Sequence, residues 1–284
     1  MTKGQRKLLP SIPVDAVTAL LVEVGRNLIL PRFRHLRPDE IERKHTLTDP
    51  DDIVTAVDRQ AEEHLTKELL SLVPGTAVIG EEAVHSEPAI LGSLASDDPV
   101  WLLDPIDGTR NFASGDDGFG IMLAYVAHGE TLAAWVVLPA RDEIYVAEAG
   151  SGARRNGQAM RVPTPEGRIA RGAIHPRYMP VETRLSAERQ ATGRFQRCPD
   201  TRSAAVEYTQ ILAGTREFAV YYRLLPWDHA APALLLVEGG GVVVHLDGRP
   251  YTPRSADQVT VVAGSVAVAS MVSGWFVDVG RGAE

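Results

Sequence analysis

Five carboxylates stand where apolar runs of the chain stop. Glu81 and Glu82 close the β-rich run Thr76 to Ile79. Asp104 and Asp107 follow Val100 to Leu103 in WLLDPIDGTRNF (residues 101–112), and Asp228 opens a helical pattern after Trp227. Ligands of open sheets bind in the crevice beyond the carboxyl ends of strands, so acids at such ends are expected to converge on one site. Ionised carboxylates brought that close repel and raise one another's pKa values unless divalent cations neutralise them. Oxygen donors alone, with no cysteine set and no obvious histidine pair, favour hard ions, Mg²⁺ or Mn²⁺, over Zn²⁺. Mg²⁺ suits best, because it takes one or two carboxylates together with substrate phosphate oxygens, and so lets an acidic protein hold an anion.

The residues around the aspartates have parts in this chemistry. Pro105 stiffens the turn and lets the Ile106 carbonyl point back at a metal between Asp104 and Asp107. Gly108 permits close backbone approach. A helix starting at Gly108-Thr109 would turn its free N–H groups toward a phosphate, and the Thr109 hydroxyl could hold an attacking water. Plainer roles compete: Asp is common in turns, and Asp228 suits a helix N-cap. Glu82 is read as lying behind the site or in solvent, His229 as a core or surface residue rather than a ligand, and Trp101 and Trp227 as packing residues under the site.

The elements that must carry these groups follow from periodicity. Val14 to Leu30 and Ile53 to Leu72 carry apolar residues at helical spacing, ended by Pro31 and by Pro74-Gly75, with a charged loop over 37–52 between them. Phe119 to Val146 predicts a hairpin or meander turning at Gly129 and at Pro139 to Asp142, and GSGARRNG a further loop. After a connection over 161–168, Ser203 to Ala213 and Asp228 to Glu238 read as helices, and Glu217 to Tyr222, Val242 to His245 and Val259 to Ala263 as strands. Strands and helices alternate without a clean βαβ period, which favours layered α and β elements over a doubly wound fold.

Composition bounds the rest. The 284 residues are 44% hydrophobic and 23% charged, enough for one large domain or two closely packed halves, 1–160 with most of the acids and 161–284 with Asp228. A net charge of −8 argues against nucleic-acid and membrane-surface binding. Cys198 is the sole cysteine, which excludes an intramolecular disulfide and suits a cytoplasmic protein. No apolar run approaches a membrane span, and no GxxxxGK[ST] motif supports a nucleotide kinase.

Together, GEE (80–82), WLLDPIDGTRNF, PWDHAAPALLLVEGGG (226–241), DDIVTAVDRQAE (51–62) and GSGARRNGQAMRV resemble the successive signatures of the inositol monophosphatase family, Mg²⁺-dependent, lithium-sensitive sugar-phosphate phosphatases. The resemblance runs from about residue 15 to about residue 265. It implies a layered αβαβα sandwich of the inositol monophosphatase and fructose-1,6-bisphosphatase type, usually a homodimer, with two or three Mg²⁺ per site. It places Glu81, Asp104, the Ile106 carbonyl, Asp107 and Asp228 as metal ligands, Glu81 and Thr109 as the pair that activates water, and Asp58 as an acid behind a third metal. By the same resemblance the backbone from Asp107 to Thr109 cradles phosphate, and Arg202, Ser203 and Ala204, with Tyr221 or Arg223, face the alcohol.

Departures from the family pattern are specific. Tyr221 and Arg223 stand where inositol phosphatases carry a ring-gripping glutamate, and Arg223 would favour a second anionic group on the substrate. Pro232 interrupts the W-D-x-A-A/G pattern early in its helix, where proline costs little. The segment between Lys44 and Asp58 is longer than usual, so the family's metal-site lysine is not assigned to Lys44. The expected activity is a Mg²⁺-dependent phosphomonoesterase acting on inositol monophosphate or a similar small polyol or sugar phosphate. In two-metal terms, Glu81, Asp104 and the Ile106 carbonyl hold the ion that activates water, and Asp104, Asp107 and Asp228 the one that stabilises the leaving alkoxide. The same chemistry on 3′-phosphoadenosine 5′-phosphate, histidinol phosphate or fructose 1,6-bisphosphate is the alternative, and a silent metal-binding regulatory dimer the third reading. Specificity is expected to reside in loops over 171–200 and 215–225.

Overall fold

A computed structural model describes residues 11–44, 53–164 and 170–279. Parts of the connection expected over 161–168 and of the long segment after Lys44 lie outside them. The helices are α1 (Val14–Val24), α2 (Ala56–Leu72), α3 (Glu81–Ser86), α4 (Thr109–Ser114), α5 (Val181–Ala191), α6 (Ala204–Leu212), α7 (Pro226–Glu238) and α8 (Val266–Ser273). In chain order, β1 (Ile41–Arg43) pairs with β2 (Ile53–Thr55) in a small ribbon. A seven-stranded sheet runs in sequence through β3 (Ala77–Gly80), β4 (Val100–Asp107), β5 (Gly120–Ala127), β6 (Glu130–Leu138), β7 (Glu143–Glu148), β8 (Ala153–Arg155) and β9 (Gln158–Met160). The remaining strands, β10 (Arg171–Ile174), β11 (Gln196–Arg197), β12 (Phe218–Tyr221), β13 (Val242–His245) and β14 (Thr260–Ala263), form a five-stranded sheet in the order β11-β10-β12-β14-β13.

Side-chain alternation along the strands sorts these elements into layers. Trp101 and Leu103 of β4, with Leu123, Tyr125 and Trp135, pack against Val17 and Leu21 of α1 and Leu65 and Leu69 of α2. Leu102, Met122 and Val136, on the opposite face, pack against Tyr208 of α6 and Trp227 and Leu236 of α7. Those helices in turn meet Ala219, Val243 and Val262 of the second sheet. That sheet's far face, Phe218, Val220 and Val261, is covered by Ala187 of α5 and Val268 and Val272 of α8. The result is the expected αβαβα sandwich, with α6 and α7 buried between two sheets.

Several local expectations differ from the structure. The helix expected from Ile53 begins at Ala56. Its first three residues, all β-branched, are β2, and Thr55 caps α2: its hydroxyl accepts from the Val57 N–H (3.2 Å) while Asp58 accepts from the Thr55 N–H (2.9 Å). The first helix widens after Val24 into a π-turn over Gly25–Ile29. The loop expected over 37–52 contains a 3₁₀ turn and β1, GSGARRNG carries β8, and 171–200 holds β10, α5 and β11 rather than a long loop. Pro232 is the seventh residue of α7, past the first turn, so it removes a helix hydrogen bond that the sequence reading had expected to be spare. At the end of α7, the Glu238 carboxylate accepts from the N–H groups of Gly150 and Gly152 (2.7 Å each), fixing the helix to the turn before β8.

Candidate active site

The sequence reading ends its strand at Leu103. In the structure β4 continues to Asp107, and its register against β5 shifts between Asp104, opposite Met122, and Asp107, opposite Gly120. Three steps on β4 thus match two on β5, a bulge tolerated because Pro105 has no N–H to give the ladder. Without the extra residue, positions three apart would face opposite sides of the sheet. With it, Asp104 and Asp107 both face the α6/α7 layer, while the Ile106 side chain joins the α1/α2 core.

Glu81 arrives from the adjacent strand end. It does not close a turn but opens α3, and Asp228 sits in the first turn of α7. Single carboxylate oxygens of Glu81, Asp104 and Asp228 lie within 4.8 Å of one another. Lys44, 4% exposed, completes the group: its ammonium is 2.5 Å from Glu81 Oε1 and 2.6 Å from Glu82 Oε1. The lysine left unassigned by sequence is therefore at the site, and Glu82 is buried behind it. Glu62, overlooked in the sequence, accepts from the N–H groups of Glu82 (2.9 Å) and Ala83 (2.8 Å) and so fixes the start of α3. A Cβ at Gly80 would fall 2.3 Å from that carboxylate, which is why glycine precedes the two glutamates. One signal was available: Asp58 and Glu62 lie four apart on the same face of α2 as Leu65 and Leu69.

Asp107 differs from the other three. Its carboxylate accepts from the Ser203 hydroxyl (2.5 Å) and from the N–H groups of Ala204 (3.2 Å) and Ala205 (2.8 Å), so it spans the sheet and the start of α6. The Thr109 hydroxyl lies 3.1 Å from Asp58 Oδ1 and 3.0 Å from the Ile106 carbonyl. The threonine expected to activate water and the acid expected behind the site, named separately from sequence, are thus in direct contact. Gly108, at φ +83, makes the turn into α4, and a Cβ there would stand 2.8 Å from the Gly118 carbonyl.

These acids are held in their neutral direction. Burial, then repulsion from Glu81, Asp107 and Asp228, raises Asp104 well above the usual carboxylate range, and Asp228 is raised by burial and by Glu81 and Asp107. Burial lifts Asp107 and Asp58 to about 6 and, with Glu81, Glu82 to about 8. Burial opposes the Lys44 ammonium, but Glu81 and Glu82 override it and raise its pKa. All-oxygen donors in cation deficit are the donor set of a hard divalent ion.

The acids line one side of a cleft of about 560 Å³. The residues expected to face the alcohol, Arg202, Ser203, Ala204, Tyr221 and Arg223, line it too, but two of their polar groups are committed elsewhere. The Ser203 hydroxyl serves Asp107, and the Tyr221 hydroxyl donates to Glu207 (2.5 Å), leaving its ring to the cleft. The Arg223 guanidinium lies 3.9 Å from the centre of the Tyr178 ring, a cation–π contact on the cleft wall. His229 is buried, its Nδ1 2.9 Å from the Tyr208 hydroxyl, and burial depresses its pKa to about 3; it does not join the acids as a ligand. Trp227 lines the cleft, whereas Trp101 packs on the α1/α2 side of the sheet. No helix among the described residues is long and apolar enough to cross a membrane.

Comparison with known proteins covers nearly the whole chain. A model of the inositol monophosphatase family matches residues 13–274. A Thermotoga maritima fructose-1,6-bisphosphatase/inositol-1-monophosphatase is 33% identical over 236 residues, covering 83% of this chain and 86% of the relative. The Escherichia coli K12 Nus factor SuhB is 32% identical over 228 residues, covering 78% of this chain and 81% of the relative. Among solved structures, a Thermotoga maritima IMPase superposes with a TM-score of 0.76 at 28% identity, covering 94% of this chain and 97% of its own.

Proposed function

The chain belongs to the inositol monophosphatase family and is a phosphoric monoester hydrolase; from there we propose that it is a Mg²⁺-dependent enzyme acting on inositol monophosphate or a similar small polyol or sugar phosphate. The observation that carries this reading is the convergence of Glu81, Asp104 and Asp228 oxygens within 4.8 Å in the cleft. With Asp107 and the Ile106 carbonyl they would hold the metal. Bound Mg²⁺ supplies the charge that lets these acids ionise beside a phosphate and makes a coordinated water acidic.

The chain's own groups do the rest. Thr109, its hydroxyl set by Asp58 and the Ile106 carbonyl, orients the attacking water, and Glu81 is the carboxylate placed to take its proton. Lys44, 2.5 Å from Glu81 Oε1, keeps that carboxylate in position. The backbone from Asp107 to Thr109, turned by Gly108, faces the phosphate. A net charge of −8 supports small esters over nucleic acid as the ligand. Lithium sensitivity, a homodimeric state and a cytoplasmic location belong to the same proposal on the strength of the family resemblance.

A second reading, with a bisphosphate or nucleotide such as fructose 1,6-bisphosphate or 3′-phosphoadenosine 5′-phosphate as substrate, is favoured by Arg223 on the cleft wall. Phosphate release from inositol 1-phosphate and fructose 1,6-bisphosphate, with Mg²⁺, with EDTA and after Mg²⁺ is restored, tests the assignment. Release that EDTA abolishes and Mg²⁺ recovers is expected. Release indifferent to chelation overturns the metal-dependent reading, and no release from any ester supports the silent regulatory one.

A further inference from the structure

Away from the metal-site acids, part of the cleft wall is organised by Glu207, in the first turn of α6 and 1% exposed. Its Oε1 is paired with the Arg216 guanidinium, and its Oε2 takes both the Tyr221 hydroxyl and His175 Nε2 at 2.5 Å. His175 follows β10, and its ring stacks on Tyr221 with centroids 4.7 Å apart and planes 15° from parallel. With Nε2 committed, orientation of the ring is fixed, and Nδ1 lies on the free side. Asp200 Oδ1 is 3.9 Å from Nδ1, beyond hydrogen-bond reach, and that side chain is 64% exposed. Among the described residues Nδ1 makes no hydrogen bond, although the ring is largely buried and lines the cleft.

Burial alone would lower the pKa of this imidazole; Glu207, and beyond it Asp200, override burial and raise it, against a smaller opposing effect from Arg216. The balance favours the protonated ring, whose Nδ1–H has no hydrogen-bond partner among the described residues and stands on the cleft wall. The ring shares the wall with Arg177 and Arg223, cationic groups that stand beside the Glu207 and Asp200 carboxylates. A hydroxyl needs no such wall, whereas a phosphate group does.

We infer that His175 is a specificity-determining residue, oriented by Glu207 and Tyr221 so that Nδ1–H receives a second phosphoryl group on the substrate. The inference rests on the phosphatase reading and deepens its second form, in which the substrate is a bisphosphorylated sugar or polyol. The acids and Thr109 handle the scissile phosphate, and His175 holds the distal one.

The test uses the full-length protein with Mg²⁺ and two esters that differ only in the distal group, fructose 1,6-bisphosphate and fructose 1-phosphate. Wild type is expected to show the lower KM for the bisphosphate. His175→Gln, at a partly exposed position, should raise that KM about tenfold and leave kcat within about twofold, the mark of lost ground-state binding. Its KM for the monophosphate should not change. Equal KM values in the wild type, or equal effects of the variant on both esters, overturn the inference alone. Failure to hydrolyse either ester or inositol 1-phosphate overturns the hydrolase reading beneath it. A second readout is the His175 ring titration by NMR, assigned by its loss in His175→Gln. The groups facing the ring are Glu207, Asp200, Arg216, Tyr221 and His229. A pKa above the usual value of about 6.5 that falls in Glu207→Gln is expected, and an ordinary value in the wild type overturns the proposal.

Discussion

The acid site and the Glu207 cluster both bury carboxylates against α6, yet they end in opposite electrostatic states. Around Glu207 the carboxylate is satisfied: 1% exposed, it meets a guanidinium, an imidazole and a phenol hydroxyl, and its lone pairs are used. At the acid site Lys44 is shared between Glu81 and Glu82, and Asp104 and Asp228 are pushed toward neutrality by burial and by neighbouring acids, Glu81 and Asp107 among them. The difference separates a carboxylate already met by cations and donors, and so able to hold its neighbours in place, from a site built to take up positive charge. Buried ions that are paired brace the fold, whereas acids left in excess are costly until a cation arrives.

The comparison is sharpened by removing one charge from each region. Asp228→Asn should cost about two decades or more of activity and leave the metal-free protein as stable as wild type or more so, because a repulsive charge is gone. Turnover and urea unfolding with EDTA read the two effects, and wild-type turnover would mean Asp228 is dispensable. Asp107→Asn should lose comparable activity but also stability, since its amide cannot accept from Ser203, Ala204 and Ala205 as the carboxylate does. Glu207→Leu should destabilise by about 3 to 5 kcal/mol, because Arg216 is left buried without its counter-charge. An unchanged urea midpoint would show that the cluster contributes nothing to stability.

The smallest expected effect is on pH. Asp107 and Asp58, at about 6, and Glu82, at about 8, hold protons in the folded metal-free protein that the unfolded chain releases near pH 4. The folded state therefore binds more protons across that window, and its stability must fall as pH rises from about 4 to about 8. Melting with EDTA should show a lower Tm at pH 8 than at pH 5, and added Mg²⁺ should raise Tm more at pH 8. Equal Mg²⁺ shifts at the two pH values would break the charge-deficit account.

The contrast also marks what the sequence could reveal. The acids were legible because each stands at an element end beside proline, glycine or tryptophan, where a solvated face has no reason to place it. Their common face was not, since the bulge in β4 exists only through the register with β5. Lys44 sits in a charged stretch, and only the pairing of β1 with β2 brings its neighbourhood back to α2. Glu207 and Arg216 look like the polar face of a helix and a turn; their burial arises from the second sheet closing over α6. His175 lay in a region read as loop, because β10 is four residues long and gains its identity from β11 and β12.

Helix α7 carries Asp228 in its first turn and is pinned through Glu238, at its last residue, to the turn before β8. Mechanically it is a beam about 20 Å long clamped between two sheets. A tilt of about 4° about the Glu238 end would carry Asp228, about 15 Å away, through about 1 Å, a misplacement large enough to cost about a hundredfold in rate. The accuracy of the reaction is thus partly set by two glycine amides that never meet the substrate.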